Sequence, residues 1–147
     1  ILFICTGNTC RSPMAEGIAR RHLADRGEDV FVASAGVAAM EGCSTSPETI
    51  RALDALGIGF EGCSTPLTPE MIRKASHVLC MTSSHAAAAR SMVAGDEEAE
   101  ARIEPLDPDG ELPDPIGQGQ PVYDALAARL LELIPDRLDT LLKENEA

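Results

Sequence analysis

Cys5 and Arg11 stand on either side of a short loop, in the run Cys5-Thr6-Gly7-Asn8-Thr9-Cys10-Arg11-Ser12. A thiol and a guanidinium held across such a loop suit one kind of chemistry, the capture of an oxyanion followed by attack on it. A thiolate is the nucleophilic form of cysteine, and a neighbouring arginine and a helix N-terminus both favour that form. Arg11 offers a planar fork that matches two oxyanion oxygens. Gly7 suits a close turn of the backbone, Asn8 tolerates left-handed geometry and can bond the loop to itself, and Ser12 can donate to the departing thiolate. The backbone of Thr6, Gly7, Asn8, Thr9, Cys10 and Ser12 is then the expected cradle. A buried structural cysteine beside a solvated arginine is the plainer reading. A dinucleotide-binding turn lacks its Gly-x-Gly-x-x-Gly spacing here, and a thioredoxin-type pair needs Cys-x-x-Cys, which Cys5 and Cys10 do not form.

The chemistry needs a strand, a tight loop and a helix in that order. Ile1-Leu2-Phe3-Ile4 is an apolar run that reads as a strand, and Ser12-Pro13 reads as a helix start. Several unpaired N–H groups at such a start converge on one point, where the helix dipole adds to their pull on an anion. A helix is expected over 13–26, with Ser12 as its N-cap and Gly27 as its stop. Asp29 to Ala33 read as a second buried strand. Ser46-Pro47 opens a helix, Thr68-Pro69 a short one, and His77 to Met81 form a third strand. Ser84 is the expected cap of an alanine-rich helix over 85–93. Ile103 to Leu106 suggest a fourth strand, and residues 107–121 read as a proline- and glycine-rich loop. From Val122 a helical spacing runs to the end of the chain, with Pro135 expected to kink or split it. Alternating strands and helices imply an α/β fold, a central four-stranded parallel sheet with helices on both faces, in one domain over 1–147. The loop after the first strand falls at the carboxyl edge of such a sheet, where these folds bind ligands.

These motifs resemble the low-molecular-weight protein phosphatases, whose signature is a Cys-x5-Arg-Ser loop near the N-terminus. The likeness extends through Pro13-Met14-Ala15-Glu16, Ser34-Ala35-Gly36 after the second strand, Met81-Thr82 after the third, and Asp114-Pro115 before the last helix. It implies a protein phosphatase with a Rossmann-like fold, acting on phosphorylated protein side chains through a cysteinyl-phosphate, with no cofactor and no metal. Asp114, in a loop like the family's mobile acid loop, is the expected proton donor to the leaving group. Asp107-Pro108 is its local rival, and turn initiation is the alternative for both. Ser34 is expected to join Asn8 in a network that supports the loop. The histidine with which many relatives brace that asparagine has no counterpart, since the matching stretch is Phe60-Glu61-Gly62-Cys63. Thr9, where tyrosine-directed members commonly carry an aliphatic residue, and Ile116, where they carry an aromatic one, are similar to the branch that hydrolyses phosphoarginine; phosphotyrosine is the alternative substrate. The added hydroxyl of Thr9 can bond a polar guanidinium and leaves less apolar wall for a phenol ring.

Other function classes are bounded by composition. The chain has 147 residues with 12 basic and 24 acidic side chains, a net charge of −12 that disfavours nucleic acid and anionic membranes as partners. A local positive pocket is therefore required, for which Arg11, Arg20 and Arg21 are the candidates. Four aromatic residues give little base-stacking surface. Five cysteines, in a chain long enough for a sizeable core, point to a reducing, cytoplasmic setting rather than a disulfide scaffold. No signal-peptide pattern precedes the first strand, and the absence of an opening Met puts the natural start a residue or two upstream. Cys10 either traps an oxidised Cys5 as a disulfide or packs as a small hydrophobe. His22, His77 and His85 lack metal-ligand spacing and are expected in ordinary core or surface roles. Arsenate reductases share the loop but need resolving thiols downstream, and no cysteine follows Cys80. A phosphopeptide-binding module with an inert loop is the non-enzymatic alternative.

Overall fold

The computed structural model describes residues 1–146; Ala147, the last residue of the expected domain, lies outside the described residues. Four strands, β1 (Leu2–Cys5), β2 (Ala33–Gly36), β3 (Val78–Cys80) and β4 (Ile103–Pro105), form one sheet in the order β2-β1-β3-β4. Every pairing is parallel, so β1 is flanked on both edges. Its side chains alternate between two cores, as a strand covered on both faces requires. Phe3 and Cys5 join the helices α1 (Arg11–Asp25), α2 (Pro47–Ala55) and α6 (Gln120–Glu146) on one side. Leu2 and Ile4 join α3 (Pro69–Lys74), α4 (Ser83–Met92) and α5 (Glu97–Ala101) on the other. The expected α/β architecture is present.

The local differences have physical causes. The second strand begins at Ala33, later than the expected 29–33, so Ser34-Ala35-Gly36 lies within the strand rather than after it. Its residues are small because the phosphate-loop side of β1 leaves no room. A Cβ on Gly36 would stand 2.4 Å from the Thr6 carbonyl oxygen and 3.0 Å from the Asn8 nitrogen. The apolar Val30-Phe31-Val32 run lies outside the pairing, and Phe31 is 82% exposed. Helix α1 starts at Arg11 with Cys10 in the cap position and no side-chain cap, so Ser12 is not its N-cap. The Ser12 hydroxyl is turned instead toward Cys5.

Ser46 and Thr68 cap α2 and α3 as expected, each accepting from the N–H three residues on. Thr82, not Ser84, caps α4, and Asp96 caps the unanticipated α5. Helix α6 runs unbroken through Pro135 rather than splitting. The carbonyl that loses its partner there belongs to Leu131, on the exposed side, where water can replace the missing donor, while Leu130, Ile134 and Leu138 remain buried against the core. No helix among the described residues is long and apolar enough to cross a membrane.

Candidate active site

β1 brings the chain to Cys5 at the carboxyl edge of the sheet, and α1 carries it away from Arg11. Between them the backbone turns at Asn8, the one non-glycine among the described residues with positive φ, at 56°. The left-handed turn thus falls on Asn8 rather than on Gly7. The Cys5 sulfur is buried, 2.9 Å from the Ser12 hydroxyl and 3.3 Å from the Asn8 N–H that points at it.

Asn8 is locked by its own amide. Its Nδ2 donates to Ser12 Oγ and Ser34 Oγ, each at 2.8 Å, and its Oδ1 accepts from the Thr65 N–H at 2.8 Å. Ser34 thus bonds Asn8 directly. Its hydroxyl donates to Glu16 at 2.7 Å, Glu16 pairs with Arg20 at 2.7 Å, and Arg20 lies 6.0 Å from the centre of the Phe60 ring. No hydrogen bond from a histidine to Asn8 is present among the described residues. A backbone N–H from Thr65 holds the asparagine, and Phe60 backs the arginine that closes the chain of contacts.

Arg11 is buried. Its Nη1 donates to the Leu112 carbonyl at 3.0 Å, its Nη2 donates to Thr6 Oγ1 at 3.4 Å, and Nη2 lies 3.8 Å from Asp114 Oδ2. Arg11 and Asp114 thus meet at the mouth of the loop that starts at Cys5, the carboxyl group on a side chain 47% exposed. Asp114 Oδ1 accepts from the Ile116 N–H at 3.1 Å, which fixes its turn. The rival Asp107 faces elsewhere. Arg129, at 2.7 Å, and the Asp109 N–H, at 2.9 Å, engage its carboxylate and hold it below the usual range. Of the three candidate arginines only Arg11 serves the loop. Arg20 is taken by Glu16, and Arg21 by Asp25 and the Gly57 carbonyl.

Cys10 is buried within the α1 core, its sulfur 3.5 Å from both Ser46 Oγ and the Tyr123 hydroxyl. A bridge to Cys5 would require it to leave that seat, and both cysteines are free thiols. Thr9 Oγ1 lies 3.7 Å from the Cys10 sulfur, and the Thr9 carbonyl accepts from the Ser46 N–H, which ties the loop to α2. The described residues contain no cluster of three or more metal-ligating side chains.

Three contributors carried no signal strong enough to assign from sequence. Glu16 lies one helical turn beyond Ser12, inside a matched motif, and this spacing could have marked it as a partner of the loop. Glu111 accepts from the Ser83 N–H and hydroxyl, anchoring the acid loop to the start of α4. His85 is buried with Nε2 2.8 Å from Thr6 Oγ1, a contact across 79 positions that no local pattern reveals.

The family model of low molecular weight phosphotyrosine protein phosphatases matches residues 1–147. The chain belongs to that family. Within it, the chain is 34% identical over 147 residues to a protein-arginine-phosphatase of Bacillus subtilis (strain 168), covering 99% of this chain and 98% of that protein. A solved arginine phosphatase, a cysteine-to-serine mutant with a phosphorylated active-site serine, superposes with a TM-score of 0.89 at 33% identity, covering 97% of this chain and 94% of that one. An arsenate reductase of Bacillus licheniformis is 38% identical over 82 residues, 55% of each chain. As a family member this is a low-molecular-weight protein phosphatase, with the α/β fold its structural neighbours share.

Proposed function

We propose that the chain removes phosphate from arginine side chains of proteins, through a phosphorylated Cys5. The observation that carries the proposal is the approach of Asp114 to Arg11, at the end of the loop whose first residue is the buried Cys5. One guanidinium can there grip the phosphoryl oxygens while a carboxyl group reaches the leaving atom. The Cys5 thiolate attacks phosphorus in line, and an S–P bond forms as the P–N bond breaks. The electron pair leaves on the guanidine nitrogen, which takes the Asp114 proton. Water then attacks the phosphocysteine, Asp114 recovers a proton from it, and the thiolate leaves with a hydrogen bond from Ser12. N–H groups of the loop from Thr6 to Ser12 stabilise the charge that develops on the equatorial oxygens.

The preference for phosphoarginine rests on Thr9, a hydroxyl in place of an aliphatic wall, on Ile116 in place of an aromatic residue, and on the arginine phosphatases among the relatives. The phosphorylated serine of the solved mutant supports a covalent route through the residue at Cys5. An arsenate reductase needs further thiols to receive the oxidation, and Cys80 lies on β3 with its thiol pushed up to about 12 by burial, an unreactive state. The free cysteines fit a reducing cytoplasm. The deciding experiment compares phosphoarginine and phosphotyrosine peptides with the purified protein and its Cys5→Ser variant. A higher kcat/KM on phosphoarginine, abolished by the substitution, is the expected result; a preference for phosphotyrosine would overturn the substrate, and turnover by Cys5→Ser the mechanism.

A further inference from the structure

His85 is the buried titratable group that the reaction above does not use. It sits in the first turn of α4, its N–H accepted by Thr82 Oγ1 at 3.3 Å, and its ring reaches across to the phosphate loop. There Nε2 meets Thr6 Oγ1 at 2.8 Å, while Nδ1 is fully buried with no partner. Thr6 is exposed at the mouth, and the same Oγ1 accepts from Arg11 Nη2.

A neutral imidazole carries one ring proton, and the two placements differ in what they leave behind. A proton on Nδ1 makes a buried N–H without an acceptor and obliges Thr6 to donate its only hydroxyl proton to Nε2. A proton on Nε2 leaves a bare lone pair at Nδ1, and Thr6 then accepts from both His85 and Arg11 and keeps its proton. Orphaned buried N–H groups are the rarer outcome in folded proteins. With both lone pairs of Oγ1 occupied, the remaining O–H finds its acceptor in a bound phosphoryl oxygen.

We propose that His85 is a positioning residue of this site: its Nε2–H holds the Thr6 oxygen, so that the Thr6 hydroxyl donates into the anion cradle beside Arg11. The proposal rests on the reading of the loop as a phosphate cradle. The surroundings keep the ring neutral, as the role requires. Burial and then the Arg11 charge push His85 down to about 4, against the opposing pull of Asp114 and Glu111, which are the carboxylates that face it. A doubly protonated ring would set a second cation beside Arg11 without an acceptor for Nδ1.

The test measures affinity for inorganic phosphate, and kcat and KM for p-nitrophenyl phosphate, in the unsubstituted protein, His85→Leu, His85→Gln, Thr6→Val and the double variant His85→Leu/Thr6→Val. A hydrogen bond to a charged group is lost in His85→Leu and in Thr6→Val, so phosphate binding is expected to weaken on the order of tenfold in each. Gln places an N–H near the imidazole Nε2 and is expected to restore affinity to within about threefold. The double variant should be no weaker than Thr6→Val alone, because both act through one hydroxyl. Losses that multiply in the double variant, or a Gln variant as poor as Leu, would overturn the proposal. A 15N spectrum of the unsubstituted protein reads the tautomer directly, even if His85→Leu fails to fold. Nε2 protonated at neutral pH is expected; protonated Nδ1 overturns the assignment. Failure of the unsubstituted protein to bind phosphate at all would instead refute the cradle, a result distinct from these.

Discussion

Asp107 and Asp114 open the same kind of Asp-Pro turn in one loop, and their partners separate them. Asp107 is committed to Arg129, whereas Asp114 approaches Arg11 and keeps a half-exposed carboxyl group at the mouth. Asp114→Ala is therefore expected to lower kcat by roughly 10²- to 10⁴-fold, the usual worth of a general acid, with substrate binding retained; steady-state kinetics alongside a direct binding assay checks it. An equal loss in Asp107→Ala would refute the separation. At Thr9 the prediction concerns choice rather than rate. Thr9→Ile removes the hydroxyl and adds apolar wall, so the ratio of kcat/KM for phosphotyrosine over phosphoarginine should rise, and competition between the two peptides in one reaction measures it. These residues are legible in the sequence because their spacing is local or lies in a recognisable motif. The partners that aim them are not. Asn8 is held by Ser34 and Thr65, and Arg11 by Leu112, contacts that exist only once distant segments meet.

At the scale of elements, the alternation of apolar runs with capped helices reveals the parallel sheet, and Ser46 and Thr68 mark their helices correctly. Hydrophobicity misplaces β2, because a strand beside the phosphate loop is selected for smallness rather than for apolar bulk. Close approach requires Gly36. Gly36→Ala should shift the backbone of Thr6 and Asn8, lowering stability by about 1–3 kcal/mol, as overpacking commonly does. Phosphate affinity should fall with it, measured by denaturant unfolding and by binding on the same sample. Unchanged affinity would mean that the loop does not depend on its fit against β2. The first turn of α1 is likewise misjudged as capped by Ser12. A serine at that position looks like a cap from its neighbours in sequence, but its hydroxyl is engaged by Cys5 and Asn8.

For the whole molecule, acid is expected to act in two stages. His85 is neutral in the fold and titrates only at about 4, against an ordinary value of 6.5, so between those limits the unfolded chain takes up a proton that the native protein refuses. Stability should therefore decline as pH falls from 6.5 to 4. Asp107, Glu111 and Asp139 act in the same sense at lower pH, each also held below its ordinary range. Arg129 is the main cause for Asp107, the Ser83 hydroxyl for Glu111 and His22 for Asp139. Their contributions are complete above the ordinary carboxylate values and vanish as acid titrates the native groups at lower pH. Unfolding midpoints measured over a pH series should show both stages, with the first flattened in His85→Gln; an unchanged first stage there would place its cause elsewhere.

Ser34 and Thr65 hold Asn8 beside Cys5, Leu112 holds Arg11, and Asp114 approaches Arg11. Ribosomes extend a chain by about 5–20 residues per second from the N-terminus. Cys5 is therefore made before Ser34, Thr65, Leu112 and Asp114, and its surroundings are complete only when they have followed it. Until then the sulfur lacks the groups that hold Asn8 and Arg11 in place, so the site assembles only with the closed fold.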